Sequence, residues 1–446
     1  MTTLSRGPTG MRSLRRKPYP LFFALVVAYS FSAQAATDTA TGAIVSEQKA
    51  GLAMEASVST TLPLAWEKAL KANPGLQAAR YGVDATEGAI LQSKSRPNPE
   101  LAFSQEDTRS KARTSTVQVN QLIELGGKRE ARMRVAESEN ATAKATVFET
   151  QVALRHQLVS YFNELLLAQQ RVEFALKTHE LAGLAADAAQ KRVQAGKVPP
   201  LEASRAQVAQ ANAELELQQA KSSIVVAQQN LASLWGGSAA EVGEAIGDFA
   251  AMAKAPTADQ IALSVEESPA IVLARHTLDQ SRAASELERS KRVQDPTVSL
   301  GVKRASEVSR NQIVVGVSIP LPLFDRNAGN QLQALKKVDQ AEQRLQEQRL
   351  LIQAQVFAAR QKLLSSNQQV SLLKAQVIPM SQSAYEVAVR GFALGKFSFL
   401  EVLDAQRTLF EGQRQLLDLL MASHTARAEI DRLLGASLTS PALTGT

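Results

Sequence analysis

The chain has 446 residues, of which 45% are hydrophobic, 21% charged and only 5% aromatic, a balance that favours long helices packed side by side over a bulky globular core. Its formal charge of +7 does not argue for nucleic-acid binding: residues 1–35 hold five basic residues and no acid, and without them 45 basic residues face 43 acidic ones, a net of about +2. There is no cysteine, so neither disulfides nor a lipid on an N-terminal cysteine are available.

At the N-terminus, Arg15, Arg16 and Lys17 precede the apolar run Leu21–Ala28, and Ala33-Gln34-Ala35 follows as a small-x-small site. This pattern predicts a secretory signal peptide over 1–35, cleaved near Ala35, because the apolar run is too short to span a bilayer. Residues 36–60 are small and polar and read as a flexible leader. No later segment offers about 20 uninterrupted apolar residues, so a membrane location would require a β-barrel.

Beyond the leader the chain is written twice. Gly196-Lys197-x-x-x-Leu201-Glu202-x-x-x-Ala206-Gln207 matches Gly395-Lys396-x-x-x-Leu400-Glu401-x-x-x-Ala405-Gln406, and Leu234-Trp235-Gly236 matches Leu433-Leu434-Gly435. Upstream, Asn73-Pro74 pairs with Ser268-Pro269, Pro99 with Pro296 and Val119 with Val317. The repeats are expected over 61–236 and 263–436, joined by a linker over 237–262 and followed by a tail over 437–446.

Each repeat opens with a helix, from near Leu64 or Val265, that runs to a proline break at Pro97 and Pro99, or at Pro296. Two strands follow, near 99–124 and 296–320. Leu101 and Phe103 alternate with polar residues, as do Val117 and Val119; Val298, Leu300 and Val302 do so in the second repeat, where Ile313, Val315, Val317 and Ile319 form the cleanest stripe. Period-two alternation gives each strand one apolar and one polar face. A proline-free stretch from Gly127 to Lys197 then predicts a helix on the order of 100 Å long. Its counterpart, from about Asn327 to Ala393, contains Pro379, which is expected to kink or locally break it. Turns near 195–200 and 394–399 reverse the chain into a closing helix. Leu154, Leu158, Tyr161, Leu165 and Ala168 mark the packed stripe of the first long helix.

Strands of about ten residues suit a tilted bilayer crossing, but four cannot close a barrel. Three copies would supply twelve, together with twelve long helical segments about one axis. The predicted fold is therefore mostly α with a membrane β-barrel, four strands per chain forming a 12-stranded trimeric barrel above a long α-helical tunnel. A coiled-coil rod without a pore is the alternative from a different class.

The sequence resembles the TolC-like outer-membrane factors over essentially the whole mature chain. Gln121-Leu122-Ile123-Glu124-Leu125-Gly126-Gly127-Lys128-Arg129, Pro320-Leu321-Pro322-Leu323-Phe324-Asp325-Arg326-Asn327 and Gly395 through Arg407 are similar to the CzcC-type branch, the outer-membrane components of heavy-metal cation efflux systems. The resemblance implies a homotrimer in the outer membrane of a Gram-negative bacterium, extending into the periplasm. It also implies an equatorial girdle, a periplasmic adaptor (membrane fusion) protein, and a proton-driven inner-membrane pump of the resistance-nodulation-division type. Cargo would be divalent cations; drug efflux or type I secretion is the alternative within the same class.

The same resemblance implies that the two turns form the periplasmic tip, where the adaptor docks on Gly196, Lys197, Leu201, Gly395, Lys396 and Leu400. It places the channel constriction at Glu401 and Asp404, with Glu202 as the first-repeat counterpart. Three residues apart, Glu401 and Asp404 share a helix face, and threefold symmetry would turn them into carboxylate rings suited to cations. Tyr and Arg hold the tip shut in some relatives; Phe392 and Phe397 stand at those places here, so closure is expected to rest on packing. His156, His179, His276 and His424 lack carboxylate or cysteine partners at ligand spacing. No phosphate-cradling loop and no nucleophile–base set stands out. No enzyme activity, cofactor, resident metal or nucleic-acid partner is expected.

Overall fold

A computed structural model describes residues 59–107, 109, 112–307 and 310–435. The export signal, its cleavage point, the leader up to residue 58 and the tail over 437–446 lie outside the described residues.

The first repeat begins with β1 (Ser59–Thr61), α1 (Leu62–Ala72) and α2 (Pro74–Ser93). Ser59 and Thr60, read from sequence as the end of the leader, are thus part of a strand. The opening helix is also two helices rather than one. Asn73 stands before Pro74, where the proline ring disfavours helical geometry, and it adopts φ −67°, ψ 121°. Its Oδ1 accepts from Leu76 N at 2.9 Å and caps α2, while its Nδ2 donates to Leu234 O at 2.8 Å, tying the start of the repeat to its end.

The strands β2 (Glu100–Glu106) and β3 (Thr114–Leu122) lead into α3 (Lys128–Gln194), an unbroken helix of 67 residues, and α4 (Pro200–Ser233) returns beside it. The stripe expected on α3 is the packed one: Leu154, Leu158, Leu165 and Ala168 are buried and Tyr161 packs against them. β4 (Glu244–Ile246) pairs in parallel with β1.

The second repeat repeats this order with differences. A short helix, α5 (Ala258–Ser264), and a 3-10 turn holding Val265 precede α6 (Pro269–Ser290), so the helix starts earlier than expected and breaks at Ser268 as the first does at Asn73. Strands β5 (Thr297–Ala305) and β6 (Arg310–Ser318) follow, then α7 (Ala328–Leu372), α8 (Ile378–Ala393) and α9 (Phe399–Leu434). Between α7 and α8, residues Leu373–Val377 form one π turn. Pro379 has no N–H and its ring would clash with the carbonyl one turn back; the wider turn absorbs both defects without ending the helix.

The four long strands form one antiparallel sheet in the order β2-β3-β5-β6. Its registers set Leu101 opposite Val119, Val119 opposite Leu300, and Leu300 opposite Val315. All the apolar residues of the alternating pattern therefore share one face. That face is exposed in the single chain, most at the two edges, where Phe103 is 66% and Ile313 79% accessible. No helix among the described residues is long and apolar enough to cross a membrane.

Candidate functional site

Both tip turns are built by the same backbone device. Gly196 (φ +67°) and Gly395 (φ +74°) adopt the left-handed conformation that costs other residues energy. Lys197 N donates to Arg192 O at 2.9 Å and Gly196 N to Val193 O at 2.9 Å; Lys396 N donates to Gly391 O at 2.8 Å and Gly395 N to Phe392 O at 2.9 Å. These paired bonds satisfy the last helical carbonyls and turn the chain sharply. Lys197, Lys396, Leu201 and Leu400 are exposed beside the turns.

The carboxylates are not equivalent. Glu401 and Asp404 are both exposed on α9, either side of buried Val402 and Leu403. Glu401 also serves the helix itself: its Oε2 accepts from Ser398 N at 2.6 Å and Ser398 Oγ at 3.0 Å, a capping box. Glu202 is half-buried, and its Oε2 is shut from solvent without a hydrogen-bond partner among the described residues. Pro199 occupies the cap position there and offers no hydroxyl or N–H.

The two turns are packed together by aromatics. Phe399 is 1% exposed and meets Phe392 with ring centroids 5.7 Å apart, amid Ala186, Ala189, Ala206 and Val402. The Arg192 guanidinium lies 4.1 Å from the Phe392 ring centre and donates to Phe392 O at 3.0 Å, so a residue of the first turn holds the second. Phe397 covers Gly391 so closely that a Cβ there would meet its ring at 2.2 Å. Of these, Phe392 and Phe397 were legible from sequence. Phe399, Arg192 and Gly391 were not singled out, although Phe399 lies within the matched motif.

Midway along the helices, the segment Phe249–Pro256 is strapped across α7 and α9 by side chains that reach its carbonyls. Lys374 donates to Ala250 O at 3.0 Å, Asn367 to Ala253 O at 2.8 Å and Arg427 to Lys254 O at 2.7 Å. A cavity of about 850 Å³ opens between this strap, β4 and the helices α3, α4 and α9.

Two histidines have carboxylate neighbours that sequence spacing did not reveal. His179 Nε2 lies 2.9 Å from Glu214 on α4, and His156 Nε2 lies 3.8 Å from Glu429 on α9. No group of three or more potential ligands assembles among the described residues. At the root of the sheet, Arg132 grips Glu124 through two nitrogens, and this hydrogen bond, ahead of the opposing effect of burial, lowers the carboxyl below its usual range. Asp295 accepts from Leu125 N at 2.8 Å and pairs with Lys128 at 2.7 Å, fastening the first repeat to the second.

Comparison with known proteins follows from this geometry. The chain is 40% identical over 422 residues, 95% of its length and all of the relative, to the cobalt-zinc-cadmium resistance protein CzcC of Cupriavidus metallidurans. It is 27% identical over 301 residues, 66% of this chain and 71% of the relative, to the nickel and cobalt resistance protein CnrC of the same organism. The crystal structure of the outer membrane protein VceC from Vibrio cholerae superposes with a TM-score of 0.72 at 19% identity, covering 84% of this chain and 96% of that one. The fold is thus the TolC-like channel protomer, mostly helical with one four-stranded antiparallel sheet among the described residues. The family model for outer membrane efflux proteins matches residues 65–237 and 261–436, and the chain belongs to that family.

Proposed function

We propose that this chain is the outer-membrane duct of a tripartite efflux system and exports divalent heavy-metal cations of the cobalt, zinc and cadmium type. The observation that carries this reading is the 40% identity to CzcC along nearly the whole chain, because it spans strands, helices and both turns rather than one motif. Three copies pool their strands into a 12-stranded barrel in outer-membrane lipid, and their helices line a periplasmic tunnel. Transport energy comes from a proton-driven inner-membrane pump of the resistance-nodulation-division type. A periplasmic adaptor docks on the exposed tip residues Lys197, Leu201, Lys396 and Leu400, around Gly196 and Gly395.

Glu401 and Asp404, exposed three residues apart on α9, form two stacked rings about the threefold axis and favour cations at the narrowest point. Glu202 contributes less, being partly withdrawn from solvent. Deletion of the gene is expected to lower resistance to cobalt, zinc and cadmium while leaving dye and detergent tolerance unchanged; the opposite pattern overturns the cation assignment. In planar bilayers, the Glu401→Gln, Asp404→Asn double variant is expected to lose cation selectivity but keep its pore. A trimer without conductance under any condition would favour a structural rod instead.

A further inference from the structure

The internal duplication carries information about a contact that lies between chains. Inside one chain, the second strand of the first repeat, β3, pairs with the first strand of the second repeat, β5. In the trimer proposed above, on which this inference rests, the next such junction joins β6 to β2 of a neighbouring copy. Both strands are the edges of the described sheet. We propose that this seam between subunits repeats the register of the β3–β5 seam within the chain.

The correspondence between repeats fixes that register. The end of α2 at Ser93 and of α6 at Ser290, Pro99 and Pro296, and the starts of β2 at Glu100 and β5 at Thr297 all share one spacing. Val119 and Val317 define the spacing for the second strands. The hairpins agree: Glu100 pairs with Asn120 in the first, and their counterparts, Thr297 and Ser318, pair in the second. Carrying the Val119–Leu300 pair forward by these correspondences sets Val317 opposite Phe103 of the partner subunit. The Asn120–Ser299 pair becomes Ser318 opposite Ala102 of the partner subunit, and Gln121–Val298 becomes Ile319 opposite Leu101 of the partner subunit.

This register keeps every apolar side chain on one face, so the band of Leu101, Phe103, Val317 and Ile319 continues across the seam. It also keeps the sheet's advance uniform. Moving straight across the hydrogen bonds leads from Glu100 to Asn120, Ser299 and Gly316, and then to Ser104 of the partner subunit. The first repeat advances the path two positions relative to Thr297, the counterpart of Glu100, and the seam adds the same advance for the second. Three chains then close a twelve-stranded barrel with strands tilted by about 35°, within the range closed barrels adopt.

The connection below the strands fits the same rule. Within the chain, Ile123 N donates to Pro296 O at 2.9 Å, and Gly126 lies so close to Val293 and Ser290 that an added Cβ would be 2.6 Å from Val293 Cβ. Counted from Val119 and Val317, the connection after the second strand is two residues longer in the second repeat, since α3 starts at Lys128 and α7 at Ala328, so Gly126 corresponds to a position within 324–326, while Val293 and Ser290 correspond to Arg96 and Ser93. Phe324 is 99% exposed in the single chain, and a cavity of about 430 Å³ is lined by Ser93, Arg96, Pro97, Glu124, Arg132 and Val135. The seam therefore brings the connection that carries this unburied aromatic ring to an open groove on the next copy.

Because the native chain has no cysteine, introduced pairs report the register without interference. The Ile123–Pro296 bond marks a hydrogen-bonded pair, so by alternation the Asn120–Ser299 pair is of the non-hydrogen-bonded kind, with its Cα atoms close enough for a disulfide. Ala102→Cys with Ser318→Cys, in outer membranes treated with a mild oxidant, is expected to give reductant-sensitive dimers and trimers on denaturing gels. Ser104→Cys with Gly316→Cys is expected to do the same. Glu100→Cys with Ser318→Cys, and Ser104→Cys with Ser318→Cys, each two residues out of register, are expected to remain monomeric on the gel. A trimer by native mass spectrometry in which an out-of-register pair cross-links, or neither in-register pair does, overturns the register alone. A chain that is monomeric in detergent and cross-links through no pair overturns the trimeric reading as well.

Discussion

The two repeats arrive at one turn geometry through different chemistry. The backbone bonds and the left-handed glycine are shared, but the residues just beyond them differ. The first repeat enters its closing helix through Pro199 and Pro200, the second through Ser398 and Phe399. Proline presets φ at a helix start and needs no N–H there. Serine instead recruits Glu401 into a capping box, and Phe399 plugs the space between the two turns. The first repeat is thus stiffened locally by its covalent structure, whereas the second depends on side chains that reach across to the first. An otherwise symmetric tip acquires one half that is better placed to move.

Removing the plug should produce the largest effect. Phe399→Ala takes away a fully buried aromatic side chain, a change that typically costs about 3–5 kcal/mol. Hydrogen exchange should rise sharply around 385–405 and, through the shared cluster, around 186–206, with protection of the four-stranded sheet unchanged. Pro200→Ala, at the matching position, should move exchange little. Equal responses from the two variants would show that the halves do not differ in the way proposed here.

A second asymmetry lies at the far end of the closing helices. Glu429 accepts two hydrogen bonds from Arg432, at 2.8 and 2.7 Å, where the first repeat has Asn230 and Ser233. That pairing, ahead of the opposing effect of burial, holds the Glu429 carboxyl below its ordinary value. A carboxyl depressed in the folded state stabilises it fully above the unfolded pKa, and the contribution is lost as pH falls through the folded one. Acidification below about pH 4 should therefore loosen the end of α9 before the end of α4. Arg432→Gln should abolish the difference, as read by exchange at the two helix ends over a pH series.

What sequence patterns conveyed about this molecule was mostly local or repeated. The two strand pairs were legible because alternation is a property of neighbours along the chain. The 67-residue helix was legible because nothing in it breaks a helix, and the duplication because its spacing scarcely drifts. Asn73 was recognised as a match to Ser268 but not as a break, since the effect of Pro74 on its predecessor competes with the strong helical pattern on either side. The packing of Arg192 on Phe392 and the pairing of His179 with Glu214 join residues on different helices, and periodicity carries no information about which helices meet. Glu401 and Asp404 could be found by position, but the cap that occupies Glu401 depends on how Ser398 is oriented.

That double engagement of Glu401 allows its structural and electrostatic roles to be separated, at the scale of the smallest effects considered. Ser398→Ala removes the cap and leaves the charge; Glu401→Gln removes the charge and leaves a residue that can still complete a capping box. The first should cost about 1 kcal/mol, seen as faster exchange of the amides in the first turn of α9, with cation selectivity retained in planar bilayers. The second should lower selectivity while the exchange of those amides stays near that of the parent. Pro199→Ala, in the repeat with no side-chain cap to lose, should alter neither. If Ser398→Ala abolished selectivity as fully as Glu401→Gln, the carboxylate would be acting through the helix it caps rather than on the passing ion, and the distinction between the two turns would reduce to mechanical stability alone.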